Sequence, residues 1–100
     1  MSSKYLVDES GLVVVNLAYS DVSQVKLQQP KWKHIKSIQR TLNQIGTADE
    51  ATAVSVAISV LAVEPKLTLE QLDNFDPADV MALGEALTEF RFFRETFSKL

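Results

Sequence analysis

Three aspartates, Asp73, Asp76 and Asp79, recur at three-residue spacing and could present their carboxylates near one another on helical turns. Carboxylate oxygens are the ligands that calcium takes in proteins, so this spacing is a candidate cation site. The run lacks the glycine turn and the terminal bidentate glutamate of an EF-hand loop. Helix capping already accounts for Asp76 and Asp79. We therefore expect neither a metal site nor a cofactor.

A single histidine, His34, is the other residue with catalytic potential, and the chain has no cysteine. Histidine catalysis needs a partner carboxylate or nucleophile, and the sequence motifs of serine hydrolases, zinc proteases and nucleotide-binding proteins do not occur. We expect His34 to lie in a basic, exposed turn as a surface residue. The sequence predicts a protein that is not an enzyme and has no catalytic residues.

Four basic residues lie within residues 31–40, beside the only tryptophan, Trp32. Phosphate contacts from such a helix would define a small nucleic-acid-binding regulator, which is one alternative function. The isoelectric point near 5.0 makes this electrostatic footprint weak, so we do not expect nucleic acid as the partner.

The composition is that of one soluble domain spanning residues 1–100, with 46% hydrophobic and 23% charged residues. The start has no apolar signal segment, and the longest uncharged run, residues 51–63, is too short to cross a membrane. Residues 1–45 hold six basic against three acidic residues, whereas residues 46–100 hold four against ten. This polarity could favour head-to-tail contact between copies, although two ordinary solvated faces are its more common origin.

The N-terminal third has the alternation of a β-hairpin at residues 12–28, with a turn at Ser20-Asp21 and a possible third strand at residues 4–7. Period-two alternation predicts which side chains face the helices and which face water. The helix-facing set is Val13, Val15, Leu17, Val25 and Leu27, and the water-facing set is Asn16, Lys26 and Gln28.

The rest of the chain, residues 31–98, has the pattern of three to four helices, so the predicted fold class is α+β. A first helix spans 31–45, with Trp32 in its apolar stripe and Gly46 as its C-cap. A capping box at Thr47 opens a buried helix to residue 63. Thr68 opens a short helix, and Asp76 caps a last helix over 77–98.

Four phenylalanines crowd the end of this last helix, more than one small core can bury from a single helix. The stripe that begins at Val80 continues through Phe90 and Phe97, so those two should face the core. Phe92 and Phe93 lie off that stripe. The hairpin could cover them, or they could form an interaction patch. The candidate partner-binding residues are Phe92, Phe93, Phe97 and Leu100.

The stretch from Pro65 to Phe90 contains an L-T segment, a leucine, then D-P-A-D followed by an apolar residue, L-G and a phenylalanine. With the strand that runs from Val22 into Pro30, it resembles the tail assembly chaperones of contractile-tailed (Mu-like and related) phages. The resemblance covers residues 13–90. It departs after Pro30, where the family often has a glycine-bearing segment and this chain has Lys-Trp-Lys-His.

The resemblance implies a non-enzymatic chaperone in the cytoplasm of the bacterial host, absent from the mature virion. Its partner would be the tape-measure protein, kept soluble until tail tube subunits assemble around it. The tube subunit itself and further copies of the chaperone are additional possible partners. A structural component of the virion is the other alternative function.

Overall fold

A sheet and a layer of helices make up the computed structural model, which describes residues 5–46 and 49–97, with side chains up to residue 94. The predicted α+β class is confirmed. The strands are β1 (Leu6–Val7), β2 (Val13–Asn16), β3 (Gln24–Leu27) and β4 (Ala62–Glu64). The helices are α1 (Trp32–Ile45), α2 (Glu50–Leu61), α3 (Leu69–Asp73), α4 (Pro77–Leu87) and α5 (Arg91–Phe97).

The predicted hairpin is present, with β2 and β3 antiparallel and Val15 opposite Val25. All five residues expected to face the helices are buried, and Asn16 is exposed. Lys26 and Gln28, also expected to face water, are half-buried, and the Lys26 ammonium lies 3.3 Å from the Asp8 carboxylate on the β1–β2 connection. The possible third strand, expected over residues 4–7, forms as β1 at Leu6–Val7 and pairs antiparallel with β2.

The fourth strand was not predicted. The buried helix was expected to reach residue 63, but α2 ends at Leu61 and the next three residues pair antiparallel with β3. The Gln28 amide donates to the Leu61 carbonyl at 3.0 Å where the two elements meet. Because β3 has an open edge, strand pairing satisfies backbone groups that would otherwise lack partners. The sheet order is β1-β2-β3-β4.

Helix α2 lies at the centre of the helical layer, in contact with α1, α3 and α4. Its inner residues are almost fully buried, as the sequence predicted for this helix: Val56, Ala57, Ile58 and Leu61. Gly84 of α4 approaches it so closely that a Cβ there would lie 3.0 Å from Val54 Cγ1. A larger residue at Gly84 would therefore push α4 away from α2.

The first turn of α1 corrects two expectations. Trp32 was placed in the core, yet its side chain is 68% exposed. His34 was placed in an exposed turn, yet it is buried. At about 100° per residue, Trp32 points about 120° away from Ile38, whereas His34 points only about 40° from it. The angular positions explain both errors.

His34 also caps the helix start. Its Nδ1 accepts a hydrogen bond from the Lys31 amide at 2.9 Å, while the His34 amide donates to the Lys31 carbonyl. Burial, followed by the charges of Lys33 and Lys31, lowers the pKa of His34 below its ordinary value. The lowered pKa favours the neutral imidazole, which is the form whose Nδ1 can accept the bond from the Lys31 amide.

The other helix starts follow the capping chemistry of the sequence. Thr68 Oγ1 accepts from the Gln71 amide at 3.1 Å, and Gln71 Oε1 accepts from the Thr68 amide at 2.8 Å. Asp76 Oδ1 accepts from the Ala78 amide at 2.9 Å. The N-cap of α2 is Asp49, two residues after the expected Thr47, which lies outside the described residues.

The last helix is interrupted, contrary to the expectation of one helix over 77–98. Helix α4 ends at Leu87, and α5 begins at Arg91. The Thr88 hydroxyl donates to the Glu85 carbonyl at 2.6 Å, and the Arg94 guanidinium donates to the carbonyls of Thr88 and Glu89. These bonds satisfy groups that a continuous helix would have paired internally, so the helix is interrupted at residues 88–90.

Asp79 connects the two layers of the fold. It lies in the first turn of α4, as expected, but its carboxylate is buried and accepts three hydrogen bonds from the β2–β3 loop. The donors are the Ala18 amide at 3.0 Å, the Tyr19 amide at 3.1 Å and the Ser20 hydroxyl at 2.6 Å. The Ser20 hydroxyl, with these amides, holds the Asp79 pKa below its ordinary value.

Replacing Asp76 by alanine tests its structural role as the N-cap of α4. The free energy of unfolding should fall by about 1 kcal/mol, the usual size of a lost N-cap, and the variant should still fold. Asp73→Ala is the matched control, since Asp73 is exposed at the end of α3. Urea titration measures both. A folded Asp76→Ala variant of unchanged stability that has lost partner binding would make Asp76 a binding residue instead.

The Asp79 interactions should make stability depend on acid pH. Because the folded-state pKa lies below the unfolded one, their contribution is present above about pH 4 and is lost as the pH falls through the folded value. Asp79→Asn should lower the urea midpoint at pH 7 and flatten its decline toward pH 3. Ser20→Ala should act in the same direction with a smaller effect. A decline as steep as that of the unmodified protein would contradict this role.

His34 should produce a second dependence at higher pH. The unfolded state takes up a proton near pH 6.5, whereas the folded state resists it, so stability should fall as the pH drops below that value. Glutamine keeps an acceptor for the Lys31 amide without titrating. His34→Gln should therefore fold normally and show less loss of urea midpoint between pH 7.5 and 5.5. Equal losses in the two proteins would contradict the prediction.

Candidate partner-binding groove

Phe92 and Phe93, two of the predicted partner-binding residues, line an apolar groove between α1, α2 and α5, which we call the aromatic groove. Its volume is about 160 Å³. Gln39 is its single polar side chain, and the full lining is Ile35, Ile38, Gln39, Leu42, Ala53, Ala57, Phe92 and Phe93. Because three helices form its walls and its lining is almost entirely apolar, the groove is suited to an apolar side chain or an apolar helix face.

Phe92 and Phe93 have different roles in this groove. Phe93 is 3% exposed, so its assignment to an exposed patch is corrected, whereas Phe92 is 42% exposed. The rings meet edge to face, with centroids 5.2 Å apart and planes at 88°. This geometry holds Phe92 against a buried neighbour and leaves one side of its ring open. Its burial fits the helical spacing, because at about 100° per residue Phe93 lies only about 60° from Phe90 and about 40° from Phe97.

Phe90, one of the two phenylalanines predicted to face the core, is buried immediately before α5. The backbone of Phe97 forms the last described turn of α5. The Phe97 side chain and the whole of Leu100 lie outside what the structure describes. The groove therefore brings together two of the four candidate partner-binding residues.

The groove opens toward the end of α1. Burial decreases along its apolar stripe, from buried Ile35 and Ile38 through half-buried Leu42 to Ile45, which is 44% exposed. The stripe thus continues past the groove walls onto the surface. A continuous apolar track of this kind can accept successive turns of a bound helix.

A second groove, between α2 and α4, was not anticipated from the sequence. Its floor consists mostly of small side chains, and we call it the small-residue groove. Its volume is about 840 Å³, and its lining includes Ala51, Val54, Ser55, Ala78, Met81, Ala82 and Gly84, with Glu50 and Glu85. The run of small residues on both helices was the available signal. It acquires meaning only once the two helices are known to pack together.

The described part of the chain has no evident metal site. Residues 5–46 and 49–97 contain no cluster of three or more histidine, aspartate or glutamate side chains that could hold a metal ion. Asp79, the most buried of the three spaced aspartates, accepts its hydrogen bonds from the protein itself. Within the same residues, no helix has the length and apolar character to cross a membrane.

Comparison with known proteins assigns the family. The family model described as "phage tail assembly chaperone proteins, E, or 41 or 14" matches residues 16–91. The chain belongs to this family, and the resemblance of its D-P-A-D segment is confirmed. Neither the curated proteins nor the solved structures gave a match. The family implies protein partners and action in the host cell during tail assembly.

Serine substitution of the two groove rings separates fold from binding. Phe93→Ser removes a buried ring and should lower the free energy of unfolding by about 3–5 kcal/mol. Phe92→Ser removes a half-exposed ring and part of an edge-to-face pair, so about 1 kcal/mol is expected. Urea titration gives both values. Equal losses of several kcal/mol would make Phe92 an ordinary core residue.

Proposed function

We propose that this protein binds the phage tape-measure protein through the aromatic groove and keeps it soluble until the tail tube assembles around it. The observation that carries the proposal is Phe92, a ring fixed against the core yet 42% exposed at the mouth of an apolar groove. Membership in a tail assembly chaperone family supports a protein partner of this process.

The groove geometry indicates how the partner would bind. Half-buried Leu42 and the exposed Ile45 extend the apolar surface along α1, over the length of several helical turns. An elongated helical partner with its own apolar stripe would lay that stripe along α1 and place one side chain beside Phe92. Each contact is small, so many copies along one partner would supply the overall affinity.

Release would follow from competition rather than from chemistry. We propose that tail tube subunits cover the same apolar stripes of the tape-measure protein as they polymerise, and so displace the chaperone. The chaperone would act in the cytoplasm of the host and leave before the virion is complete. Mass spectrometry of purified virions tests this point, since a structural component would be retained in them.

Co-expression of the tape-measure protein with chaperone variants tests the groove. Phe92→Ser should lower the soluble fraction of the tape-measure protein and weaken binding about tenfold, the usual size for a central aromatic contact. Phe92→Leu should restore part of it. Tyr19→Ser is the matched control, because Tyr19 is 71% exposed on the distant β2–β3 loop. Equal effects of Phe92→Ser and Tyr19→Ser would contradict the proposal.

A further inference from the structure

The tryptophan at the start of α1 is exposed and has basic residues near it. Trp32 is 68% exposed, and the neighbouring Lys33 and Lys36 are exposed as well. No acidic residue occurs in the sequence between Asp21 and Asp49, so every charged side chain on α1 itself is basic. A largely exposed indole that has exposed lysines near it on the same helix is typical of a binding anchor rather than of a fold element.

The small-residue groove is complementary in charge to the basic surface around Trp32. Its floor is apolar, and the glutamates Glu50 and Glu85 lie along its lining. Residues 64–89, which include all of α4, contain one lysine and seven acidic residues, of which Asp79 is buried. Met81, 74% exposed, supplies an adaptable apolar side chain at the groove. A cationic partner with an aromatic centre fits this chemistry.

The two surfaces lie on different sides of the molecule. Ala53 and Ala57 of α2 line the aromatic groove beside α1, whereas Ala51 and Val54 line the small-residue groove beside α4. Trp32 points away from the face with which α1 contacts α2. A single copy therefore cannot place its own tryptophan in its own groove, but a second copy can.

We propose that Trp32 of one copy docks into the small-residue groove of a second copy. Lys33 and Lys36 of the first copy would face Glu50 and Glu85 of the second. Two different patches meet in this contact, so each copy keeps one free patch and the chain of copies can grow head to tail. A symmetric contact between two Trp32 faces is disfavoured, because it would bring like charges together.

The purified protein alone tests this inference, with no tape-measure protein present, so its outcome is independent of the proposed function. At low salt, sedimentation should show a mass that rises with concentration, and high salt should reverse the rise. Trp32 is the only tryptophan, so its emission should shift to the blue as the indole leaves water. Tyr19→Ala is the control for loss of an exposed aromatic and should associate normally.

Variants of each patch identify the contact. Trp32→Ala, without the anchor, and Met81→Lys, with a repelling charge at the groove, should each lower the association constant at least about tenfold. Both substitutions are at exposed positions, and circular dichroism checks the fold. Mixed together, the two variants retain one intact pair of patches, so they should form heterodimers and nothing larger.

Charge exchange supplies a second check. Lys36→Glu and Glu50→Lys should each weaken self-association, and a mixture of the two should recover it. A protein that stays monomeric at every concentration in low salt would overturn the inference, as would normal association of Trp32→Ala. An emission shift caused by single-stranded oligonucleotide, with none caused by raising the protein concentration, would overturn it in favour of nucleic-acid binding.

Discussion

The carboxylate of Asp79 joins the two layers on which every other feature depends. Asp79 lies in the first turn of α4, and its carboxylate accepts hydrogen bonds from the Ala18 and Tyr19 amides and the Ser20 hydroxyl, about sixty residues earlier in the chain. A buried carboxylate is stable only when it is fully hydrogen-bonded, so the β2–β3 loop and the helix start must fit each other closely. That fit sets α4 on the sheet, and α4 in turn packs on α2. The D-P-A-D segment therefore caps a helix with its first aspartate and holds the sheet with its last.

The features that the sequence predicted correctly are local in origin. Alternation over a few residues determines which face of β2 and β3 is buried, and the capping residues Thr68 and Asp76 act on amides two or three residues away. Strand β4 could not be predicted in this way, because residues 62–64 become a strand only when β3 presents an open edge. The turn at 88–90 likewise depends on Arg94, which reaches back to carbonyls five and six residues earlier.

In the candidate site too, some features follow from local sequence and others only from the packing of the helices. Crowding of phenylalanines predicted that some of these rings are exposed, and Phe92 is 42% exposed. Phe93 was misplaced, although its three- and four-residue spacing from Phe90 and Phe97 already puts it on their side of the helix. The walls from α1 and α2 and the small-residue groove could not be predicted, since they require the helices to be packed. The exposure of Trp32 is different, because its position on the helical wheel, about 120° from Ile38, follows from the sequence alone.

Helix α2 gives the protein two grooves with separate occupants, one proposed for the tape-measure protein and one for the next copy of the chaperone. Amide hydrogen exchange of the chaperone, alone and in complex with the tape-measure protein, tests the first assignment most directly. The account predicts slower exchange at residues 35–42 and 91–94, which border the aromatic groove, and unchanged exchange in the β2–β3 loop at residues 17–23. Slower exchange in that loop with no change along the groove would contradict it.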